Sequence, residues 1–250
     1  MALGHKTFIF LLLYLNACRT VSSTKEVTSY GEKHLPGFAE RNWQQKVELF
    51  ELWDSPPRRE ADLTLIQLGL EEENAAVLVA TLQYLMRYPV EEKKPSILHL
   101  LAHPESMVRW YALLALERLP PQAEDLSLVA ARLSDKEWLV REAALRSFRR
   151  YAHEKKEKSY FYQIIFHLEE RNPSVLREVY RTLLWYEDDR AFPYLLRRTY
   201  VARSGAELIA TLEELLVTER PEVTSRIRAV ARTHSRPDVR HAASQLLRQR

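Results

Sequence analysis

The chain has 250 residues, of which 46% are hydrophobic and 28% are charged, a composition typical of a folded protein and not of a disordered one. Only five glycines are present, which disfavours a turn-rich β-sandwich and favours helices. The net charge of +3 lacks the basic excess of a dedicated nucleic-acid-binding protein, and the single cysteine excludes an intrachain disulfide and multi-cysteine zinc sites.

The N-terminus, MALGHKTFIFLLLYLNAC, has the pattern of a secretory signal peptide. Lys6 precedes an apolar run of nine residues, Thr7 to Leu15, and the small residue Ala17 follows. Nine residues are too few to span a bilayer as a helix, which takes about 20. We therefore predict a signal peptide over residues 1–17.

The stretch LNAC, Leu15 to Cys18, resembles the lipobox of bacterial lipoproteins, although Asn16 departs from the usual Ala or Ser. In that family the cysteine is lipidated and becomes the mature N-terminus. The resemblance implies an exported protein anchored in a membrane of the cell envelope and facing the periplasm or the cell exterior. Two alternatives stay open: cleavage after Ala17 without lipidation, and a buried N-terminal helix with an incidental cysteine.

Two segments precede the regular part of the chain. Residues 18–37 lack helical periodicity and contain many Ser and Thr, which predicts a flexible tether that begins at the lipidated Cys18. Residues 38–56 contain an amphipathic stretch at 38–53. We expect this stretch to form a helix that caps the following domain or forms half of an incomplete repeat.

One helical pattern recurs six times over the rest of the chain, and it is clearest in ESMVRWYALLAL (105–116) and EWLVREAALRSF (137–148). Position 0 is the valine that stands fourth in each of these two segments, and small or apolar residues follow mostly at positions 4, 7 and 8. These positions lie on one stripe of a helix, which we name helix B. Position 0 falls at Val77, Val108, Val140, Leu176, Leu208 and Val239, at intervals of 31, 32, 36, 32 and 31.

Shorter helical segments separated by proline or glycine predict a partner helix, helix A, before each helix B. The A helices are expected at residues 61–70, 94–103, 124–133, 159–168, 190–199 and 224–233. The predicted repeats therefore span about residues 57–89, 90–120, 121–153, 154–187, 188–219 and 220–250.

Paired helices at this period resemble HEAT repeats, and the best matches are ESMVRWYALLAL, DKEWLVREAALRSF and RPDVRHAASQLL. The resemblance implies an all-α fold, a right-handed α-solenoid of about six helix hairpins, preceded by an N-terminal helix and a signal peptide. It also implies that the B helices line a concave binding face. A tetratricopeptide array is the alternative fold, but the Trp-Leu-Gly-Tyr pattern of that family is absent.

Positions 2, 5, 6 and 9 of the B helices are expected to point away from the buried stripe. The predicted protein-binding face consists of Val79, Leu82, Met86, Trp110, Leu113, Leu114, Arg146, Arg149, Arg181 and Trp185. Apolar residues beside Arg and Trp are typical of interfaces. We expect a partner protein or peptide to place an apolar segment across repeats one and two and an acidic segment across repeats three and four. Alternatively, helix 38–53 folds over the apolar third.

Four arginines stand at position 1 of the B helices: Arg109, Arg141, Arg177 and Arg240. Arginines at this place in HEAT repeats commonly pair with acidic residues in the turns of neighbouring repeats. The resemblance therefore implies a structural arginine ladder and not a ligand site.

The chain carries no motif for catalysis, and no cofactor is expected. His99 and His103 are four residues apart but lack an acidic third ligand at helical spacing, so no metal site is predicted. The predicted function is a non-catalytic protein-binding scaffold. The alternative is a HEAT-like enzyme of the DNA glycosylase or lyase type, although the signal peptide and the small net charge argue against a nucleic-acid substrate.

Overall fold

The computed structural model describes residues 28–152, 158–186 and 189–248, and within them it contains only helices, turns and loops. The signal peptide, Cys18 and tether residues 18–27 lie outside the described residues. None of the described helices is long and apolar enough to cross a membrane. The α-helices are α1 (Tyr30–His34), α2 (Trp43–Leu52), α3 (Glu60–Leu70), α4 (Ala75–Arg87), α5 (Lys94–His99), α6 (Ser106–Leu116), α7 (Leu126–Ala130), α8 (Trp138–Tyr151), α9 (Lys158–Phe166), α10 (Pro173–Trp185), α11 (Ala191–Val201), α12 (Gly205–Leu216), α13 (Pro221–Thr233) and α14 (Pro237–Arg248).

These helices form six hairpins, in which α3, α5, α7, α9, α11 and α13 are the A helices and the following helices are the B helices. The even-numbered helices from α2 to α14 each contact the next one, so that they form one continuous layer. Three A helices end in a 3₁₀ turn, at Leu100–Ala102, Ala131–Ser134 and His167–Glu169. The prediction of an all-α solenoid built from helix hairpins is confirmed.

The stripe of small and apolar residues on the B helices forms the core. Val77, Val108 and Val140, at position 0 of the first three repeats, have no exposed surface. Position 4 of these repeats is also fully buried, at Thr81, Ala112 and Ala144. Each hairpin therefore buries its stripe against its own A helix and against the neighbouring hairpins, as stacked repeats require.

Repeat four begins its buried stripe one residue earlier than the sequence pattern predicts. The N-caps of α4, α6 and α8 lie three residues before position 0, whereas the N-cap of α10 is Asn172, three residues before Val175. Val175 is fully buried, and so are Val179 and Thr182 at positions 4 and 7 counted from it. Position 0 of repeat four is therefore Val175, and the predicted Leu176 takes position 1.

Helices α1 and α2 extend the array as an incomplete repeat. Helix α2 begins later than the predicted stretch 38–53, at Trp43, because Asn42 caps it by accepting from the backbone N–H of Gln45. It packs beside α4 as a further B helix, and α1 packs beside α3 as a further A helix. Phe50 and Trp53 are fully buried. Helix 38–53 therefore does not fold across the face of repeats one and two.

The prediction of a flexible tether is wrong for residues 30–34, which form α1 and pack on the repeats. The backbone N–H of Gly31 donates to Asp62 Oδ1 at 2.5 Å, and the Tyr30 ring stacks on Trp53 with 4.7 Å between ring centroids. A Cβ atom at Gly31 would lie 2.3 Å from the backbone carbon of Ala61, so only glycine permits this approach. Five residues give no helical period, which is why the sequence pattern does not reveal α1.

The Asp62 carboxylate holds this N-terminal unit in place and generates a testable prediction. It is buried and accepts the backbone N–H groups of Gly31, Arg58 and Arg59. Burial alone would raise the pKa of Asp62, but these N–H groups outweigh it and hold the pKa below the usual value. The stabilisation is therefore present above the unfolded-state pKa of about 4 and is lost as the pH falls through the lower folded-state pKa.

We expect Asp62→Ala to lower the free energy of unfolding by about 2–3 kcal/mol at neutral pH, since three N–H groups lose a charged acceptor. Urea denaturation measures this loss, and amide hydrogen exchange should show faster exchange at residues 30–34. Asp54→Ala is the matched control, because exposed Asp54 accepts a single hydrogen bond, from the Tyr88 hydroxyl. Equal stability of both variants would contradict the role of Asp62.

Candidate protein-binding face

The predicted protein-binding face is only partly accessible. Leu82 and Leu113, at position 5 of α4 and α6, have no exposed surface, so including them in the face was wrong. A B helix inside the layer is covered by its A helix and by a B helix on either side, and position 5 turns toward one of these neighbours. The accessible members are half-buried or exposed: Val79, Met86, Trp110, Leu114, Arg146, Arg149, Arg181 and Trp185.

An open groove of ≈ 710 Å³ runs across the exposed sides of α2, α4 and α6, and we name it the apolar groove. Its apolar surface comes mainly from Met86, Tyr111 and Leu114, which are half-buried. Gln83 donates from Nε2 to the Tyr111 hydroxyl at 2.9 Å and so links α4 to α6. Helix α2 forms one edge of the apolar groove, through Glu51, and leaves the groove open.

The polar groups around the apolar groove are already occupied within the protein. Arg87 donates to the carbonyl oxygen of Phe50 at 3.0 Å, and Arg118 donates to that of Met86 at 3.2 Å. The Trp110 ring contacts Tyr111 edge to face, at 4.8 Å between centroids, and its Nε1–H is enclosed without a hydrogen-bond partner. Trp110 is half-buried against Tyr111 and is not one of the residues that line the apolar groove.

The middle of the face carries a row of four glutamates and three arginines, which we name the charged row: Glu117, Glu142, Arg146, Arg149, Glu178, Arg181 and Glu214. Arg146 Nε lies 2.7 Å from Glu117, and Arg149 Nη2 lies 2.6 Å from Glu178. Arg181 lies 3.2 Å from both Glu178 and Glu214. These arginines are paired within the protein, so the sequence-based expectation that they hold an acidic partner segment is not supported by their geometry.

Two groups in the charged row have shifted pKa values that reflect this pairing. Burial raises the pKa of Glu142 above its usual value, despite the nearby Arg146. Burial alone would lower the pKa of Arg146, but the hydrogen bond and the charge of Glu117 outweigh it and raise the pKa. Arg146 therefore stays charged at any physiological pH.

The arginines at position 1 of the B helices bridge consecutive repeats where a carboxylate is available. Arg109 forms a bidentate ion pair with Asp135: Nε donates to Oδ2 at 2.7 Å, and Nη2 donates to Oδ1 at 2.8 Å. Its Nη1 donates to the carbonyl oxygens of His103 and Pro104, both at 2.8 Å. The two side chains are 5% and 4% exposed, so Arg109 joins the turn of repeat two to the turn of repeat three inside the protein.

Arg141 repeats this arrangement one step along the array. Its Nε donates to Glu170 at 2.8 Å, and its Nη1 donates to the carbonyl oxygen of Asp135 at 2.8 Å. Arg240 makes only the second kind of contact, to the carbonyl oxygens of His234 and Ser235, and has no carboxylate partner within the described residues. The described part of the chain ends with this repeat.

Arg177 does not belong to the ladder, so its prediction as a ladder arginine was wrong. Because repeat four begins at Val175, position 1 is the buried Leu176, and Arg177 turns outward with its side chain 54% exposed. Its closest carboxylate, Glu214, is 3.8 Å away. Repeat four has Leu176 at position 1 and repeat five has Ile209, so neither repeat supplies a ladder arginine.

A cavity of ≈ 370 Å³ lies at this interruption, between the N-terminal halves of α10 and α12, and we name it the slot. Its floor consists of buried Leu176, Tyr180 and Thr211, and Ala206 and Ala210 line the α12 side. Sequence reasoning missed the slot. The available signals were the 36-residue interval before Leu176 and the isoleucine that replaces arginine at position 1 of repeat five.

The histidines do not form a metal site in the part of the chain that the structure describes. His103 Nδ1 lies 3.1 Å from the backbone nitrogen of Glu105 and accepts its hydrogen bond. Across residues 28–152, 158–186 and 189–248, no group of three or more His, Cys, Asp or Glu side chains could hold a metal ion.

The buried Arg109–Asp135 pair generates a prediction about stability. Arg109→Ala should lower the free energy of unfolding by about 3–5 kcal/mol at neutral pH, because it leaves a buried carboxylate without its counter-charge. Burial alone would raise the pKa of Asp135, but Arg109 holds it below the usual value. The pair therefore stabilises the protein above pH of about 4 and loses this effect as the pH falls through the folded-state pKa of Asp135.

Urea denaturation at pH 7 and at pH 3 measures the loss of stability and its dependence on pH. The difference in the free energy of unfolding between wild type and Arg109→Ala should be smaller at pH 3. Arg240→Ala is the matched control, because that arginine contacts only carbonyl oxygens of its own turn. A gap of the same size at both pH values would rule out the ionised Asp135 as the source of the stabilisation.

The comparisons with known proteins agree with this architecture. Residues 63–149, which run from α3 to α8, match a family model described as HEAT repeats. A comparison with curated proteins gives no match. The helix hairpins and this match together identify an α-solenoid whose first three hairpins are similar to HEAT repeats.

Proposed function

We propose that the chain is a non-catalytic scaffold that binds a partner protein through the apolar groove. The observation that carries this proposal is the uncovered surface of Met86, Tyr111 and Leu114 on neighbouring B helices. Arrays of stacked hairpins commonly use such an extended face for binding, since no single repeat encloses a deep site.

The chemistry of the apolar groove favours an apolar segment of the partner. Its floor can gain hydrophobic free energy when it is covered, at about 25 cal/mol per Å² of apolar surface. Its rim arginines, Arg87 and Arg118, already donate to carbonyl oxygens and offer little to an anionic ligand. Met86 has a flexible side chain that can adapt to the shape of a partner. The apolar groove therefore suits Leu, Ile or Phe side chains.

A crosslinking experiment tests the groove. A photo-reactive benzoylphenylalanine placed at position 114 should crosslink to a partner in cells that express the chain, and the same group at position 128 should not. Leu128 is the matched control, because it is 48% exposed but lies on the A helix α7. Partner and contact position are read by mass spectrometry.

Leu114→Glu should weaken capture of the crosslinked partner about tenfold or more, since it places a charge in an apolar contact. Leu128→Glu should leave capture unchanged. Circular dichroism and thermal melting establish that both variants fold. Equal crosslinking from positions 114 and 128, or full capture by Leu114→Glu, would refute the apolar groove as the binding surface.

We further propose that the protein is exported and is held at a membrane of the cell envelope by acyl chains on Cys18. The apolar run before Cys18 and the LNAC sequence support this proposal. Two or more acyl chains give stable anchoring, whereas a single chain gives only marginal binding. The anchored array would then present its binding face to the periplasm or to the cell exterior.

Metabolic labelling with a radioactive fatty acid tests the anchor. The wild-type chain should carry label and fractionate with membranes, whereas Cys18→Ser should carry none. Carbonate washing should release the Cys18→Ser variant from membranes but not the wild-type chain, because this treatment removes peripheral proteins and leaves anchored ones bound. If the wild-type chain carries no label, the lipid anchor is refuted. The first 18 residues would then be explained by secretion without lipidation or by a retained N-terminal helix.

A further inference from the structure

We propose that the slot between α10 and α12 binds one apolar side chain of a partner peptide whose flanking residues are acidic. This inference rests on the proposed protein-binding function and adds a second contact with different chemistry. Three features support it: the space between the helices, the charge around it, and the interruption of the arginine ladder that produces both.

The space results from small side chains. Ala206 and Ala210 are one turn apart on the side of α12 that faces α10, and neither can fill the gap between the helices. The floor is apolar and buried, because Leu176, Tyr180 and Thr211 are 5%, 3% and 1% exposed. A volume of ≈ 370 Å³ lies in the range of protein pockets that hold ligand groups. The slot therefore has room for a large apolar side chain.

The rim of the slot carries an excess of positive charge from Arg171, Arg177 and Arg203, which are exposed. The guanidinium groups of these three arginines have no carboxylate within 3.5 Å in the described part of the chain. Arg177 is 3.8 Å from Glu214, and Arg171 has no ion pair within the described residues. Arg203 is 3.6 Å from the Glu169 carboxylate and donates to the carbonyl oxygens of Glu169 and Glu170 at 3.1 and 3.2 Å.

The glutamates around the slot do not cancel this charge, because each is paired with a different arginine. Glu170 is 2.6 Å from Arg141, and Glu207 is 2.5 Å from Arg198. Glu214 is 3.2 Å from Arg181. Arg171 and Arg177 are thus available to carboxylates of a ligand, whereas Arg203 is held by the turn of repeat four. Electrostatic attraction to these two arginines adds to burial of an apolar group.

The interruption of the ladder explains why charge and space occur together. In repeats two and three the position 1 arginine turns inward and binds the acidic turn of the next repeat. In repeat four the earlier start of the stripe places Leu176 at this position and turns Arg177 outward. Repeat four therefore supplies no ladder arginine, and the slot opens beside the place that this arginine would have taken. The turns of repeats four and five are joined instead by Arg203, which donates to the carbonyl oxygens of Glu169 and Glu170.

The occupant that fits is a peptide and not a nucleic acid. Only three cations line the slot, and the adjoining charged row has four glutamates against three arginines. No continuous positive track therefore exists for a phosphate backbone. An apolar side chain between acidic residues matches both the floor and the rim.

Fluorescence anisotropy with three fluorescein-labelled peptides tests this assignment on the purified full chain. The sequences are DEDLFDED, KRKLFKRK and DEDSSDED. We expect DEDLFDED to bind about tenfold or more tightly than the other two, since only it supplies both the apolar group and the acidic flanks. Raising the salt concentration should weaken its binding, because the rim arginines are exposed.

Two variants and two controls locate the site. Ala210→Trp fills the slot and Arg177→Glu reverses a rim charge, and each should weaken DEDLFDED binding about tenfold or more. Arg228→Glu reverses an exposed arginine of α13 outside the slot and should change binding less than about twofold. Leu114→Glu alters the apolar groove and should also leave this binding unchanged. Thermal melting checks that all four variants fold.

The proposal is overturned if DEDLFDED does not bind at concentrations up to about 1 mM, or if it binds Ala210→Trp as it binds wild type. It is also overturned if KRKLFKRK binds equally well, or if the small acid 3-phenylpropionate binds as tightly as the peptide. If only Leu114→Glu loses DEDLFDED binding, the peptide binds at the apolar groove and not at the slot. If DEDLFDED binds at the slot but no partner crosslinks at position 114, the apolar groove is refuted as a binding surface and the slot proposal stands.

Discussion

A hairpin of about 30 residues cannot bury its own apolar stripe, and this constraint accounts for most of the structure. Val77, Val108 and Val140 are fully buried because each lies between its own A helix and the neighbouring B helices. The same stacking covers position 5, so that only a narrow side of each B helix reaches solvent. It also explains why α1 and α2 are present. Without them, the surface of α4 that packs against Phe50 would be exposed to solvent.

Arginine at position 1 adds a polar link to this apolar stacking. Arg109 and Arg141 tie each turn to the next at a fixed register, because a guanidinium that binds a carboxylate and two carbonyl oxygens tolerates little displacement. Between repeats four and five no position 1 arginine makes this link. Arg203 joins the two turns through carbonyl oxygens alone, and the helices enclose the slot. Regular stacking is therefore a structural property of repeats two to four, and its interruption coincides with the candidate second site.

The helix pattern was predictable because positions 0, 4, 7 and 8 follow from 3.6 residues per turn. Leu82 and Leu113 were misplaced because a hydrophobic period cannot tell a leucine that contacts the next repeat from one that faces solvent. Arg177 was misplaced because Val175 and Leu176 both fit the pattern, and only the cap at Asn172 decides between them. The charged row also escaped prediction, since the partners of Arg146 and Arg149 lie about 30 residues away in sequence.

The charged row, with four glutamates against three arginines, is close to neutral, and this has a consequence for association rates. Alternating arginines and glutamates about one helix apart cancel each other's field within a short distance of the surface. A partner approaching this part of the face gains little long-range electrostatic steering, so its association rate would lie near 10⁵–10⁶ M⁻¹s⁻¹, the range of encounters without steering. Orientation would instead be guided from repeats four and five, where the exposed guanidinium groups of Arg171 and Arg177 leave a positive field.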